Sequence, residues 1–307
     1  MRRSDRHSQL PLFEGMGEAF SANPSAPVIN VAMVPQRSPF RYPGGKTWLV
    51  PKFREWVKSL SHKPKIFIEP FAGGGIISLT VAFENLADRI IMVEIDDAVS
   101  AVWSAILGQD AKWLAEKIMS FNLTIDSAHK ELKKAAKSTR QRAFQTLFKN
   151  RIYHGGILAP GSGLIRNGEK GKGILSRWYP KTLAKRIMAI DRIKGKISFI
   201  HGDGVKMMKK YQNDDEAVFF IDPPYTASAK KAGKRLYKHN SLDHEELFHI
   251  AKNLAGGFLM TYDNDQGVIQ LARKFDLKFA TVQMNNTHHA TMEELLIGKN
   301  IDWVKNF

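Results

Sequence analysis

Cysteine is absent from all 307 residues of this chain. Its absence excludes disulfides, thiolate zinc sites and covalent catalysis through a thiol. The ten histidines offer no alternative cage, since even His288-His289 lacks flanking ligand spacing, so no metal is expected. No apolar run approaches the roughly 20 residues that span a bilayer. Residues 1–36 mix Ser, Pro, Gly and charge without periodicity and read as a flexible leader, not a secretion signal. No internal repeat is visible. Acidic residues are also scarce, 30 against 46 Lys and Arg, for a formal net charge of +16. A polyanionic partner and a cytoplasmic setting are expected.

The charge excess is concentrated. Residues 129–196 carry 18 of the basic residues but only three acids, Glu131, Glu169 and Asp191. Phe144, Phe148, Asn150, Tyr153, Trp178 and Tyr179 are interleaved with them, around a glycine-rich stretch at 155–173. A charge run alone is commonly a solvated helix face. Aromatic and hydrogen-bonding residues among the charges suit phosphate contacts combined with base readout.

Three short motifs carry the chemistry. The apolar run Ala217–Ile221 reads as a buried strand and ends at Asp222-Pro223-Pro224-Tyr225. An acid past the carboxyl end of a strand lies where open α/β sheets bind ligands. The prolines keep that backbone extended with free carbonyls, and Tyr225 adds a flat face. An acid, free carbonyls and a ring suit the amino group of a nucleobase taken out of its stack. Ile66-Phe67-Ile68 reads as a second buried strand, followed by Glu69-Pro70-Phe71-Ala72-Gly73-Gly74-Gly75 and an apolar helix over 76–83. No Lys-Ser/Thr follows the glycines, and Glu69 would repel a polyphosphate. The third strand, Ile90–Val93, ends at Glu94, 19 residues beyond Gly75 and near the spacing at which an acid takes ribose hydroxyls. Upstream, Phe40-Arg41-Tyr42-Pro43-Gly44-Gly45-Lys46 leads into a helix predicted over 47–60, and another helix is predicted over 98–119. Taken singly, each motif also fits an ordinary Pro- or Gly-rich turn.

Together and in this order, the motifs resemble the DNA adenine methylase family, the alpha group of N6-adenine DNA methyltransferases. The likeness runs over roughly residues 38–300. It includes Val93-Glu94-Ile95-Asp96, the segment Leu147–Gly156, His201-Gly202-Asp203, Leu259–Asn264 and Glu293–Ile297, the last two as closing strands. Tyr42 stands where the family often has Trp, and Glu94 where it often has Asp; the likeness thins over 157–179. The resemblance implies an α/β, Rossmann-like S-adenosylmethionine-dependent methyltransferase sheet with helices on both faces and an inserted, mainly helical DNA-recognition subdomain. The catalytic domain would comprise 37–121 and 197–307, and the target-recognition insertion 122–196.

By the same resemblance, Asp222, Pro223, Pro224 and Tyr225 are catalytic. Tyr42, Lys46, Glu69, Pro70, Phe71, Gly73, Gly75, Glu94, Asp203 and Asp222 bind S-adenosyl-L-methionine, with Lys46 near its carboxylate. Lys149, Asn150, Arg151, Tyr153, Arg166 and Arg177 contact DNA. The expected partner is duplex DNA, with a monomer as default; a cognate restriction endonuclease acting separately is compatible. A cytosine carbon-5 methylase is excluded, because that chemistry needs a thiolate. The alternatives are a ribosomal RNA methyltransferase acting on an exposed adenine or guanine amine and a non-enzymatic nucleic-acid binder on a decayed scaffold.

Overall fold

The computed structural model describes residues 34–42, 44–224, 242–285 and 291–306. Tyr225, the basic segment at 227–240, His288-His289 and residues 1–33 lie outside the described residues. Seven strands form one sheet: β1 (Ile66–Glu69), β2 (Arg89–Glu94), β3 (Ile197–His201), β4 (Ala217–Ile221), β5 (Phe258–Asp263), β6 (Lys278–Asn285) and β7 (Thr291–Gly298). Their spatial order is β3-β2-β1-β4-β5-β7-β6. The first five are mutually parallel, and β7 runs antiparallel between β5 and β6.

Strand residues alternate between two apolar layers, as the two-residue pleat requires. Phe67, Ile90, Met92, Val218 and Phe220 enter one core, and Ile68, Ile91, Val93, Phe219 and Ile221 the other. Burial on both faces explains why these strands read as continuous apolar runs. The first face is covered by α1 (Val50–Lys58), α2 (Ile76–Glu84), α3 (Asp97–Leu107), α4 (Ala111–Ser120), α6 (Thr139–Ile152) and α7 (Pro180–Ile193), with α5 (Ile125–Lys133) packed on α6. The second is covered by α8 (Gly204–Lys210), α9 (His244–Lys252) and α10 (Gln266–Lys274). Helix α2 is buried around nearly its whole circumference, so its residues lack an amphipathic period.

Local chemistry sets the boundaries. The helix predicted over 47–60 begins as a 3₁₀ turn at Lys46–Leu49, and Pro51, which has no N–H to donate, sits in the first turn of α1. The helix predicted over 98–119 is two helices. It breaks at Gly108, where a Cβ would lie 2.5 Å from the Ser104 carbonyl oxygen. Lys194 then caps the Gly108 carbonyl at 2.7 Å. Strand β6 was not foreseen; it lies at the sheet edge, where polar Lys278, Thr281 and Gln283 interrupt the apolar pattern.

The charge-rich stretch at 129–196 contributes to the core. Phe144 and Phe148 on α6 are buried and stack on each other, and Phe148 meets Trp178 with ring centres 5.5 Å apart. These aromatics, which suggested base readout, anchor α6 and the irregular residues 153–179 to the α3–α4 layer.

Candidate active site

In the sheet, β1 sits between β2 and β4, and the chain leaves it in opposite directions toward these neighbours. That reversal opens a crevice at the carboxyl edge. Glu69 ends β1, Glu94 ends β2, and Asp222 follows β4 directly. Three acids separated by more than 150 residues of chain thus come to one edge.

Two of them are fully desolvated. Burial pushes the Glu69 carboxyl up to about 8, reinforced by Asp222 and Glu94 and partly offset by hydrogen bonding from Ser78. The Ser78 N–H donates to Glu69 Oε2 at 2.9 Å. Burial likewise pushes Glu94 up to about 7, against backbone donors that favour its ionised form. Glu94 Oε2 accepts from Gly73 N–H and Oε1 from Asp96 N–H, both at 2.8 Å. This carboxylate therefore fixes the glycine turn and keeps lone pairs for hydroxyl donors.

The glycines meet a physical requirement. Gly73 and Gly75 have φ of 46° and 63°. A Cβ at Gly73 would lie 2.7 Å from Tyr42 Cε1, and one at Gly75 2.7 Å from Met92 Cε and 2.8 Å from Trp103 Cζ2. The Trp103 indole N–H donates to the Gly73 carbonyl at 2.9 Å, and Ser38 Oγ to that of Gly74 at 2.5 Å. Tyr42 thus lies on the turn, Pro70 is buried beside it and Phe71 is part-buried in the second core. Asp203 caps α8 through the Val205 N–H at 2.8 Å. The next residue, Gly204, packs on the Pro70 carbonyl so tightly that a Cβ would sit 2.1 Å away, so Asp203 borders the turn.

Asp222 is held from two sides. Its Oδ1 is 2.9 Å from Lys46 Nζ and accepts from Thr261 Oγ1 at 2.8 Å. Lys46 is buried; it also lies 3.6 Å from Glu294 Oε2 and donates to the Gly44 carbonyl at 3.0 Å. The Lys46 ammonium thus meets two acids of the crevice. Burial pushes Glu294 up to about 7 despite the Lys46 charge. In sequence, Thr261 and Glu294 read only as parts of strands. Antiparallel β7 pairs Glu294 with Asp263 at the end of β5, bringing both residues to the crevice edge. The available signal was an acid heading the apolar run Leu295-Leu296-Ile297. Pro223 is buried and Pro224 half-buried beside Asp222, while Tyr225 lies outside the described residues.

The residues expected to touch DNA divide in two. Asn150 is fully buried: its Oδ1 accepts from Arg41 N–H at 2.8 Å, and its amide donates to the carbonyls of Arg41 at 2.9 Å and Gly156 at 2.6 Å. Arg151 is buried and donates to the Pro39 carbonyl. Both brace the segment carrying Tyr42 rather than present a polar head to solvent. Replacing Asn150 by Ala should cost about 2–4 kcal/mol in urea unfolding, because buried backbone groups lose their partners; a loss below about 1 kcal/mol would refute the bracing role. Lys149 donates to the Leu158 carbonyl at 2.7 Å and stands over the Tyr153 ring. Arg166 is exposed, and Arg177 pairs with Glu169 at 2.5 Å. A cleft of about 1050 Å³ separates Thr124, Ile125 and His129 from Arg166, Lys172 and Ile174. Glu69, Glu94 and Asp222 do not line it.

The sheet order, the antiparallel seventh strand and the crevice at the switch point define a Rossmann-like methyltransferase fold. The chain belongs to the D12 class N6 adenine-specific DNA methyltransferase family, whose sequence profile matches residues 42–287. No curated protein matches it significantly. Among solved structures it is similar to a candidate RNA methyltransferase from Pyrococcus horikoshii, at 10% identity over 84% of each chain with a TM-score of 0.38. It is also similar to a ribosomal RNA methyltransferase from Streptomyces viridochromogenes, at 11% identity over 93% of this chain and 90% of that one, with a TM-score of 0.36. Among the described residues no three His, Cys, Asp or Glu form a metal-holding group, and no helix is long and apolar enough to cross a membrane.

Proposed function

We propose that this protein transfers a methyl group from S-adenosylmethionine to the N6 amine of an adenine flipped out of duplex DNA, at a specific site. The observation that carries this is the Lys46–Asp222–Thr261 constellation one strand away from the buried Glu69–Glu94 pair. The chemistry of the acids fits the donor: its ammonium, sulfonium and ribose hydroxyls are the groups that carboxylates with raised proton affinity lack. Glu94 would take the ribose hydroxyls, Asp203 the adenine end and Glu69 the cationic end, with Tyr42 and the 73–75 turn as the wall. When bound, S-adenosylmethionine supplies an electrophilic methyl group on a sulfonium.

The chain's own part is positioning. Adenine N6 is a poor nucleophile because its lone pair is delocalised into the ring. Asp222 and the Pro223 carbonyl would accept the two amino hydrogens, favouring a tetrahedral nitrogen with its lone pair aimed at the methyl carbon. Lys46 and Thr261 hold Asp222 for that task, a preorganised arrangement that needs no rearrangement during reaction. The proton leaves afterwards, since the methylated ammonium is acidic. Tyr225 is assigned the stacking role by its motif position, a contact worth about 1–3 kcal/mol. Residues 122–196 are assigned target recognition, carried by the 153–179 segment on the α6–α7 platform.

Labelled methyl transfer to unmethylated duplex DNA, with RNA in parallel, tests the whole assignment; exclusive transfer to RNA would overturn it. Glu94→Ala should weaken S-adenosylmethionine binding by about 10–100-fold in calorimetry, the scale of a lost charge-assisted hydrogen bond. Unchanged affinity would remove Glu94 from the ribose site.

A further inference from the structure

Four arginines crowd the region between Tyr42 and the irregular 153–179 segment. Arg41 precedes Tyr42, Arg151 lies in the last turn of α6, Arg177 precedes α7, and Arg186 lies within α7. Arg151 and Arg186 are committed to the protein: they donate to the carbonyls of Pro39 and Ser38, the latter at 3.1 Å. Even so, Arg151 Nε and Arg41 Nη1 are buried with no hydrogen-bond partner among the described residues. Burial together with Arg186, Arg41 and Arg177 lowers the proton affinity of Arg151 to about 9. Burial first, and then Arg177, also lowers that of the half-buried Arg41. Buried guanidinium N–H groups among like charges are chemically suited to an anionic acceptor, because buried donors are normally satisfied.

One acid partly fills that need. Glu169 Oε1 lies 2.5 Å from Arg177 Nη1, and its Oε2 lies 3.5 Å from the Tyr179 hydroxyl. The same carboxylate also attracts Arg41. Glu169 itself is exposed, on a short turn flanked by Gly168 and Gly171, both at positive φ. An exposed ion pair is worth only about 0–1 kcal/mol, whereas two guanidinium groups bind a phosphodiester with short, paired hydrogen bonds. The side chain that occupies the site is therefore easily displaced by the ligand that the site fits.

We propose that Arg41, Arg177 and Tyr179 form a phosphate site for the DNA backbone, and that Glu169 is an internal stand-in which the phosphate must expel. The inference rests on the DNA reading above and deepens it. Arg41 adjoins Tyr42, which lies on the 73–74 turn, so the captured phosphate belongs to nucleotides close to the extruded base.

Anisotropy of a fluorescent duplex at about 100 mM salt tests the site in the full-length protein. Glu169→Gln should tighten binding about 3–10-fold beyond Glu116→Gln, which removes an exposed acid of α4. Arg177→Gln should weaken it about tenfold and reduce the salt slope by about one, as expected for one lost phosphate contact. In the Arg177→Gln background, Glu169→Gln should add no more than Glu116→Gln does. A Glu169→Gln gain no larger than that of Glu116→Gln, or one that persists without Arg177, would overturn the stand-in. Methyl transfer to duplex DNA measured alongside separates the two failures. Transfer without the Glu169 effect defeats this site alone, and absence of transfer to any DNA defeats the underlying function.

Discussion

Asp222→Asn should reduce single-turnover methylation of duplex DNA by about 10³-fold or more, while S-adenosylmethionine and DNA bind within a few-fold of wild type. The amide retains the size and the Thr261 contact, which reaches Oδ1 at 2.8 Å. It loses the negative charge that opposes positive charge developing on N6, an electrostatic contribution of about 10²–10³ in comparable preorganised sites. With the amide oxygen kept at the Oδ1 position, toward Thr261 and Lys46, the NH2 offers a donor where the amine requires an acceptor, which pushes the loss higher. Thr261→Val should leave the charge but loosen its aim, with a smaller drop of about tenfold in rate and little change in the substrate KM. Turnover by Asp222→Asn close to wild type would remove the acid from the chemistry and with it the proposed mechanism.

The second large effect concerns pH. Glu69 is pushed up to about 8 and Glu94 to about 7, both by burial first. Their folded-state proton affinity thus exceeds that of the unfolded chain, near 4.5. Stabilisation from such groups is fully present below about pH 4.5 and is lost as pH rises through 7 and 8. For Glu69 alone the shift corresponds to about 3–5 kcal/mol. Glu69→Gln keeps the shape and removes the titration. The ligand-free variant should therefore be about 2–4 kcal/mol more stable than wild type at pH 8.5, and nearly equal to it at pH 5. A cationic ligand opposes the same penalty, so S-adenosylmethionine should raise the wild-type melting temperature more at pH 8.5 than at pH 6. Parallel stability–pH curves for wild type and Glu69→Gln would show that Glu69 is not the strained group.

The parallel strands were readable because buried strands must be apolar on both faces, and Ile66–Ile68, Ile90–Val93 and Ala217–Ile221 are unbroken apolar runs. The glycine turn and the acids at strand ends were readable for a related reason. Positive φ at Gly73 and Gly75, and a carboxylate at the carboxyl edge, are demands that few residue types satisfy. Edge strand β6 escaped because one solvated side weakens the apolar pattern on which recognition depends. The continuous helix expected over 98–119 ends at Gly108, whose φ of −90° and ψ of −132° leave the helical region in a conformation where a Cβ would crowd the Ser104 carbonyl.

Residue types and their spacing were sufficient to establish that this chain builds an α/β sheet with acids and glycines at its ligand edge, since those choices are local and dictated by backbone geometry. The destinations of long polar side chains were not local. That Asn150 and Arg151 brace Tyr42's segment, that Lys46 turns to Asp222 and Glu294, and that Glu169 faces Arg177 follow from packing between elements far apart in sequence. A polar residue reads the same in sequence whether it meets solvent, substrate or a buried carbonyl; only the folded chain supplies the partner.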